Sequence, residues 1–252
     1  MNVRLVRGLA LSIALAVAAA AAPAGAAVRN IATVVLDTWF DGSFRLKVED
    51  VVLAGVLPSL TLEARAARED IAGWHGWQFG FGPVVNLTPS LYLVALYSLG
   101  VDSDEAFSHE FDASLNHETA TTAVSLGVKA DWFPSGGYFY AMPSLGGKFH
   151  PVPALGLFGK VFVAVDSDGQ AAGSFWGEAD WSVTPAIALR AGGTLGYTGE
   201  LGWSAIAGVN VAITPNVLLK YTFKYLAEPP AGLPGEPVRN GIENGLVLDV
   251  RF

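Results

Sequence analysis

The chain has 252 residues, a formal net charge of −8 and no cysteine. Its acidity excludes nucleic acid as a partner, and the missing thiols exclude disulfides, thiolate metal sites and cysteine nucleophiles. Hydrophobic residues make up 52% of it and charged residues only 15%, against about 25% charged in ordinary soluble domains.

The first predicted element is a leader. Arg4 and Arg7 precede an apolar run from Leu9 to Ala22, and Pro23, Ala24, Gly25, Ala26 and Ala27 follow. Positive region, apolar core and small residues form the order of a secretory signal peptide, with cleavage expected after Ala26 or Ala27. Residues 1–26 are the expected leader and 27–252 a single domain. Beyond the leader no apolar run approaches the roughly 20 residues of a spanning helix. The best candidate, Val51 to Leu60, is broken by Pro58 and flanked by Asp50 and Glu63.

The rest of the chain alternates apolar with polar or small residues, the two-residue period of strands. Strands are expected at 31–40, 43–57, 60–69, 74–86, 91–101, 107–115, 119–131, 138–149, 154–166, 171–183, 186–198, 203–213, 216–226 and 242–252. The alternation is clearest late. Trp203, Ala205, Ala207, Val209, Val211 and Ile213 alternate with Ser204, Ile206, Gly208, Asn210 and Ala212. Val217, Leu219, Tyr221, Phe223 and Tyr225 alternate with Leu218, Lys220, Thr222 and Lys224. Pro83 and Pro143 fall inside expected strands, where each removes a ladder donor. The segment 43–57 is apolar on both faces after Asp50.

One turn chemistry recurs: Leu87-Thr88-Pro89-Ser90-Leu91, Val183-Thr184-Pro185-Ala186-Ile187 and Ile213-Thr214-Pro215-Asn216-Val217. Proline presets φ and has no N–H, so it belongs in the turn and not in the ladder. Leu246, Leu248, Val250 and Phe252 then share one face of the last strand. A terminal strand ending on an aromatic residue, a leader and alternating strands of about ten residues together resemble Gram-negative outer-membrane β-barrels of the porin-like class. Many of these carry a second aromatic two positions before the end, where this chain has Val250.

The resemblance implies a cell-outer-membrane location, lipid contact, and delivery by the barrel-assembly machinery with Leu248, Val250 and Phe252 as the assembly signal. It also implies an up-and-down antiparallel barrel with an even number of strands and both ends in the periplasm. Fourteen strands satisfy that parity, and twelve is the alternative. Every Thr-Pro turn then falls on the periplasmic side, and 166–169, 198–200 and 227–241 fall outside. Trp181 and Phe252 approach the periplasmic strand ends. Tyr197, Trp203 and Tyr225 approach the outer ones, and Trp74 and Trp77 flank an outer loop.

Glu63, Arg65, Lys129, Asp131, Lys160, Glu178, Asp180, Arg190, Lys220, Lys224, Glu243, Asp249 and Arg251 are expected on inward faces. Glu178 and Asp180 would oppose Arg190, and Lys220 and Lys224 would oppose Glu243 and Asp249. Pairing is their expected main role, and it is compatible with a water-filled bore. Abundant Gly, Ala and Ser on the same faces leave the lumen unfilled by side chains. A narrow passive channel for ions or small solutes is therefore the expected function, with a structural or ligand-binding barrel as the alternative. A hydrolase ranks third. Ser108-His109-Glu110 suggests a nucleophile and base in a list, but adjacent strand residues point to opposite faces. No catalytic, metal or cofactor site is expected. The acidic segments 102–105 and 166–169 are expected to be solvated loops, with calcium binding as the weaker reading.

Overall fold

A computed structural model describes residues 28–39, 42–71, 74–103, 106–197, 201–227 and 241–251. Residues 1–27, with the expected leader, the final Phe252 and most of the 227–241 segment lie outside the described residues. Fourteen strands follow in order: β1 (Val28–Trp39), β2 (Phe44–Leu57), β3 (Leu60–Ile71), β4 (Trp74–Thr88), β5 (Leu91–Asp102), β6 (Phe107–Glu118), β7 (Thr122–Phe133), β8 (Tyr138–Val152), β9 (Leu155–Asp166), β10 (Ala171–Thr184), β11 (Ile187–Tyr197), β12 (Leu201–Thr214), β13 (Val217–Leu226) and β14 (Gly241–Arg251). Each pairs antiparallel with its neighbours in sequence, and β1 pairs with β14, so the sheet closes into a barrel without an edge. The expected strands are all present, and their ends move by at most three residues, as at β1, which starts at Val28 instead of 31, and β7, which starts at Thr122 instead of 119.

Cross-strand partners share a face, so the registers sort every strand residue as inward or outward. Leu36, Leu46, Tyr221 and Leu246 lie on one outward row. Lys224 and Glu243 lie on an inward one. The outward positions of β5 to β13 form an exposed apolar belt, with Leu126 at 59% and Leu195 at 53% exposure. A soluble protein cannot leave such a belt in water, whereas hydrocarbon accepts it.

The two strand prolines are absorbed without a change of register. On β4, pairing to β5 is interrupted between Phe81↔Tyr97 and Val84↔Val94, around Pro83. On β8, pairing to β9 is interrupted between Ala141↔Val165 and Ser144↔Phe162, around Pro143, while Pro143 still pairs with Val128 on the other side. Each proline thus loosens one flank of its strand and keeps the other.

The Thr-Pro turns have a device that the sequence reading missed. The threonine hydroxyl accepts from amides two and three residues on: Ser90 and Leu91 to Thr88 at 3.3 and 3.0 Å, and Ala186 and Ile187 to Thr184 at 3.2 and 3.0 Å. Asn216 donates likewise to Thr214 at 3.2 Å. Proline sets the turn and threonine satisfies the amides that the turn leaves over. Thr184→Val keeps the shape and removes the acceptor, so we expect a loss of about 1 kcal/mol, measured as a shift of the urea midpoint in lipid vesicles.

The same rim carries a second set of bonds. A carbonyl in each turn accepts from an amide of the following hairpin: Ser59 from Asn86, Ser90 from Glu118, Thr121 from His150, Ala154 from Ser182, Ala186 from Ala212 and Asn216 from Arg251, at 2.7–2.9 Å. The opposite rim uses glycine instead. Gly42, Gly137 and Gly169 adopt positive φ of 81°, 62° and 76° in its loops, a region that side chains disfavour.

Candidate functional site

The inward faces make the site, because a closed barrel leaves only its bore and its mouths for chemistry. Four ionic groups stand around the wall. On β1 to β3, Arg45 lies 3.5 Å from Asp37 and 2.9 Å from Glu69, and Arg65 lies 3.2 Å from Glu49 and 2.8 Å from Glu63. On β6 and β7, Lys129 lies 2.8 Å from Glu110 and 3.5 Å from Asp131. On β10 and β11, Arg190 grips both carboxylate oxygens of Glu178. On β13 and β14, Lys220 lies 2.6 Å from Asp249, and Lys224 lies 3.9 Å from Glu243.

The pairing expected of Arg190 is thus divided. Arg190 is directly across from Asp180 in the ladder, yet its guanidinium reaches diagonally to Glu178. Asp180 Oδ1 is enclosed without a hydrogen-bond partner. Asp249 also accepts from Thr33 Oγ1 at 3.0 Å, which ties the barrel seam across β14 and β1. The Lys160 ammonium sits 4.8 Å from the Phe162 ring centroid. Arg251 shares the inward row of Ile31, near the Thr-Pro rim. Lys129, Lys160, Glu178, Asp180, Arg190, Lys220, Lys224, Glu243, Asp249 and Arg251 all lie on inward faces. Of the assembly-signal residues, Leu248 and Val250 lie on the outward face of β14, and Phe252 is outside the described residues.

Sequence reasoning missed Asp37, Arg45, Lys47, Glu49 and Glu69 as inward charges. Their common parity within each strand was the available signal, masked by the valines and leucines that fill both faces of β2. Asp112 on β6 shares the inward face and stands directly across from Lys129 of β7 in the ladder.

The lining is uneven. Met142, Phe162 and Ala164 form a buried cluster on β8 and β9, with Ala172 and Trp176 packed on it and Phe158 edge-on to Trp176. This apolar mass thickens one wall and narrows the bore. Gly192 and Gly208, on the inward faces of β11 and β12, thin the wall beside it. A Cβ on Gly192 would come 2.3 Å from the Gly177 carbonyl oxygen, so that position admits no side chain without backbone movement. At the loop-end mouth a cavity of about 290 Å³ is lined by Lys47, Glu69, Gln78, Asp102 and Ser108 among others.

The histidine motif does not assemble. Ser108 and Glu110 face inward, while His109 faces outward, 2.6 Å from Tyr97 Oη through Nδ1 and stacked 5.0 Å from Trp132. In the acidic loops, Asp102 Oδ1 accepts from the Ala106 amide, and Asp166 Oδ1 accepts from Asp168 and Gln170. These carboxylates close turns. Asp104 and Glu105 lie outside the described residues. Trp203 and Tyr225 stack at 5.5 Å at the loop end, and Trp181 is exposed near the opposite rim, as interfacial aromatics are.

No protein-family model matches the sequence, and no curated protein matches it. Solved structures do match the fold. The outer-membrane-expressed OmpT of Vibrio cholerae superposes with a TM-score of 0.57 at 10% identity, over 90% of this chain and 97% of that one. KdgM porin gives 0.50 at 7% identity, over 88% and 99%. CdiB from Acinetobacter baumannii gives 0.55 at 6% identity, over 89% of this chain, which spans only 60% of that one. At such identities the likeness is one of fold. The chain is a closed fourteen-strand barrel of the outer-membrane kind, with no narrower family assigned.

Proposed function

We propose that this barrel lies in the cell outer membrane as a narrow passive channel for ions or small solutes and performs no catalytic step. The observation that carries the reading is the set of paired charges around the inward faces, from Arg65 with Glu49 and Glu63, through Lys129 with Glu110 and Asp131, to Lys220 with Asp249. Charges of both signs lining a bore suit a hydrated lumen, where they bias which ions pass. Glycine, serine and threonine between them keep the wall thin, and the Met142–Phe162–Trp176 wall keeps it narrow. KdgM is a porin, and it supports the reading here only through the common fold. The outward position of His109 speaks against a hydrolytic triad on β6.

Planar-bilayer recording tests the proposal. We expect discrete steps of small conductance and a weak preference for cations, because acidic residues outnumber basic ones on the inward faces. Glu110→Gln combined with Asp112→Asn is expected to move the reversal potential toward anion preference. Absence of any conductance above background would favour a structural barrel, and turnover of lipid esters by the purified protein would revive the enzyme reading.

A further inference from the structure

Three basic side chains on the inward faces of β8 and β9 stand apart from the ionic groups of the wall. Lys148 and His150 lie at the Thr-Pro end of β8, and Lys160 lies on β9, directly across from Gly146. Among the described residues none of the three belongs to an ion pair, whereas Lys47, Lys129, Lys220 and Lys224 each do. The carboxylates of the flanking strands are engaged or set apart. Glu178, across from Phe158 in the ladder, is held by Arg190. Asp180 stands across from Gly156, and Ala123 separates Glu118 from Lys148.

Two glycines bring the basic groups together. A Cβ on Gly156 would come 3.3 Å from Lys148 Cε and 3.3 Å from His150 Nε2. Both heads therefore share the space over one residue that has no side chain. A Cβ on Gly146 would come 3.0–3.4 Å from Cβ, Cγ and Cδ of Lys160, so that stem lies along bare backbone. Aromatic rings alternate with the cations. Phe158 is directly across from Lys148, and Trp176 is directly across from Lys160. The two rings meet edge-on at 5.0 Å. Lys148, His150, Phe158, Lys160 and Trp176 are all half-buried, and so remain open to the bore.

An ammonium and an imidazole over one glycine offer a few donors at a single point, which suits the two oxygens of a carboxylate. A ring face beside them suits an apolar ring on the same solute. We infer that the β8–β9 wall at the Thr-Pro mouth is a binding site for small carboxylates that carry a ring. Lys148 and His150 hold the carboxylate, Phe158 lies against the ring, and Lys160 is the next cation along the wall. The solute's route to the site rests on the channel reading. The bore as a whole is acidic, so inorganic cations prevail in it while an organic anion is held at this one wall.

Benzoate is the probe, benzamide has its shape without the charge, and acetate has the charge without the ring. Binding is measured by titration calorimetry on the folded barrel in detergent, and interruption of the current by planar-bilayer recording. We expect benzoate to bind and to interrupt the current, acetate to bind several-fold more weakly, and benzamide to do neither. Lys148→Gln should weaken benzoate binding several-fold, and His150→Gln should weaken it in the same direction. Arg29→Gln, at an inward position of β1 on the same rim, should leave it unchanged. The heat-modifiable gel shift verifies that each variant is folded. Benzoate binding to a barrel that passes no current would uphold the site and remove the channel reading. Conductance without benzoate binding would overturn the site alone. So would benzamide or acetate binding as tightly as benzoate, or an equal effect of the substitutions at 148 and 29.

Discussion

Leu126→Arg is expected to cost about 2–4 kcal/mol and to leave little assembled barrel, because position 126 sits mid-strand on the outward belt, where a guanidinium must enter hydrocarbon. Leu126 is 59% exposed and pairs with Leu115 and Leu145, both outward and apolar. Its neighbour Ser125 faces the bore, so Ser125→Arg is the matched control and should assemble normally. The heat-modifiable shift of folded barrel on an unheated gel measures both. Equal tolerance at 125 and 126 would remove the lipid-facing assignment, and with it the membrane.

Glu178→Gln is expected to be the costliest change inside the bore. The Glu178 side chain is 6% exposed and takes both donors of Arg190, which is itself 22% exposed. Breaking a buried pair by neutralising one partner strands the other charge, at about 3–5 kcal/mol when burial is complete. Partial exposure of the guanidinium reduces this to about 2–3 kcal/mol. Unfolding by urea in lipid vesicles, followed by tryptophan fluorescence, gives the value. The double variant Glu178→Gln with Arg190→Met should recover part of the loss, since the stranded charge is then gone. Strict additivity would show that the pair is not coupled.

Much of the architecture was legible because it rests on period alone. The alternation of Trp203 to Ile213 defines one face whatever partner the strand has, and Thr-Pro marks a turn through proline's fixed φ. The site was less legible, because it rests on register. Lys129 and Glu110 belong to different strands, and nothing local to either announces that they meet. The β1–β3 network was hidden for a further reason. In β2, Val48 and Val52 face outward while Val51 and Leu53 face inward, so hydrophobicity carries no parity there. The cross-strand partners, Asp37 of Arg45 and Glu69 of Lys47, show that the side shared by Arg45, Lys47 and Glu49 is the one toward the bore. Pro83 and Pro143 misled by a simple count of lost donors, since each loses pairing on one flank only. Asp50 was noted only as a boundary charge, and its outward position needed the pairing with Ala32 and Ala66.

The amide-to-turn bonds of the Thr-Pro rim run from Ser59 round to Arg251, and among the described residues the interval where β14 meets β1 carries none. Among those residues the barrel is a hoop with a single clasp. Its last stitch is the Arg251 amide, so the lacing is complete only after β14 has arrived. Under stress the wall should part along that clasp before any other stave loosens. Amide exchange should accordingly run faster in β1 than in β11, whose Thr-Pro turn is stitched to β12 through the Ala212 amide and the Ala186 carbonyl.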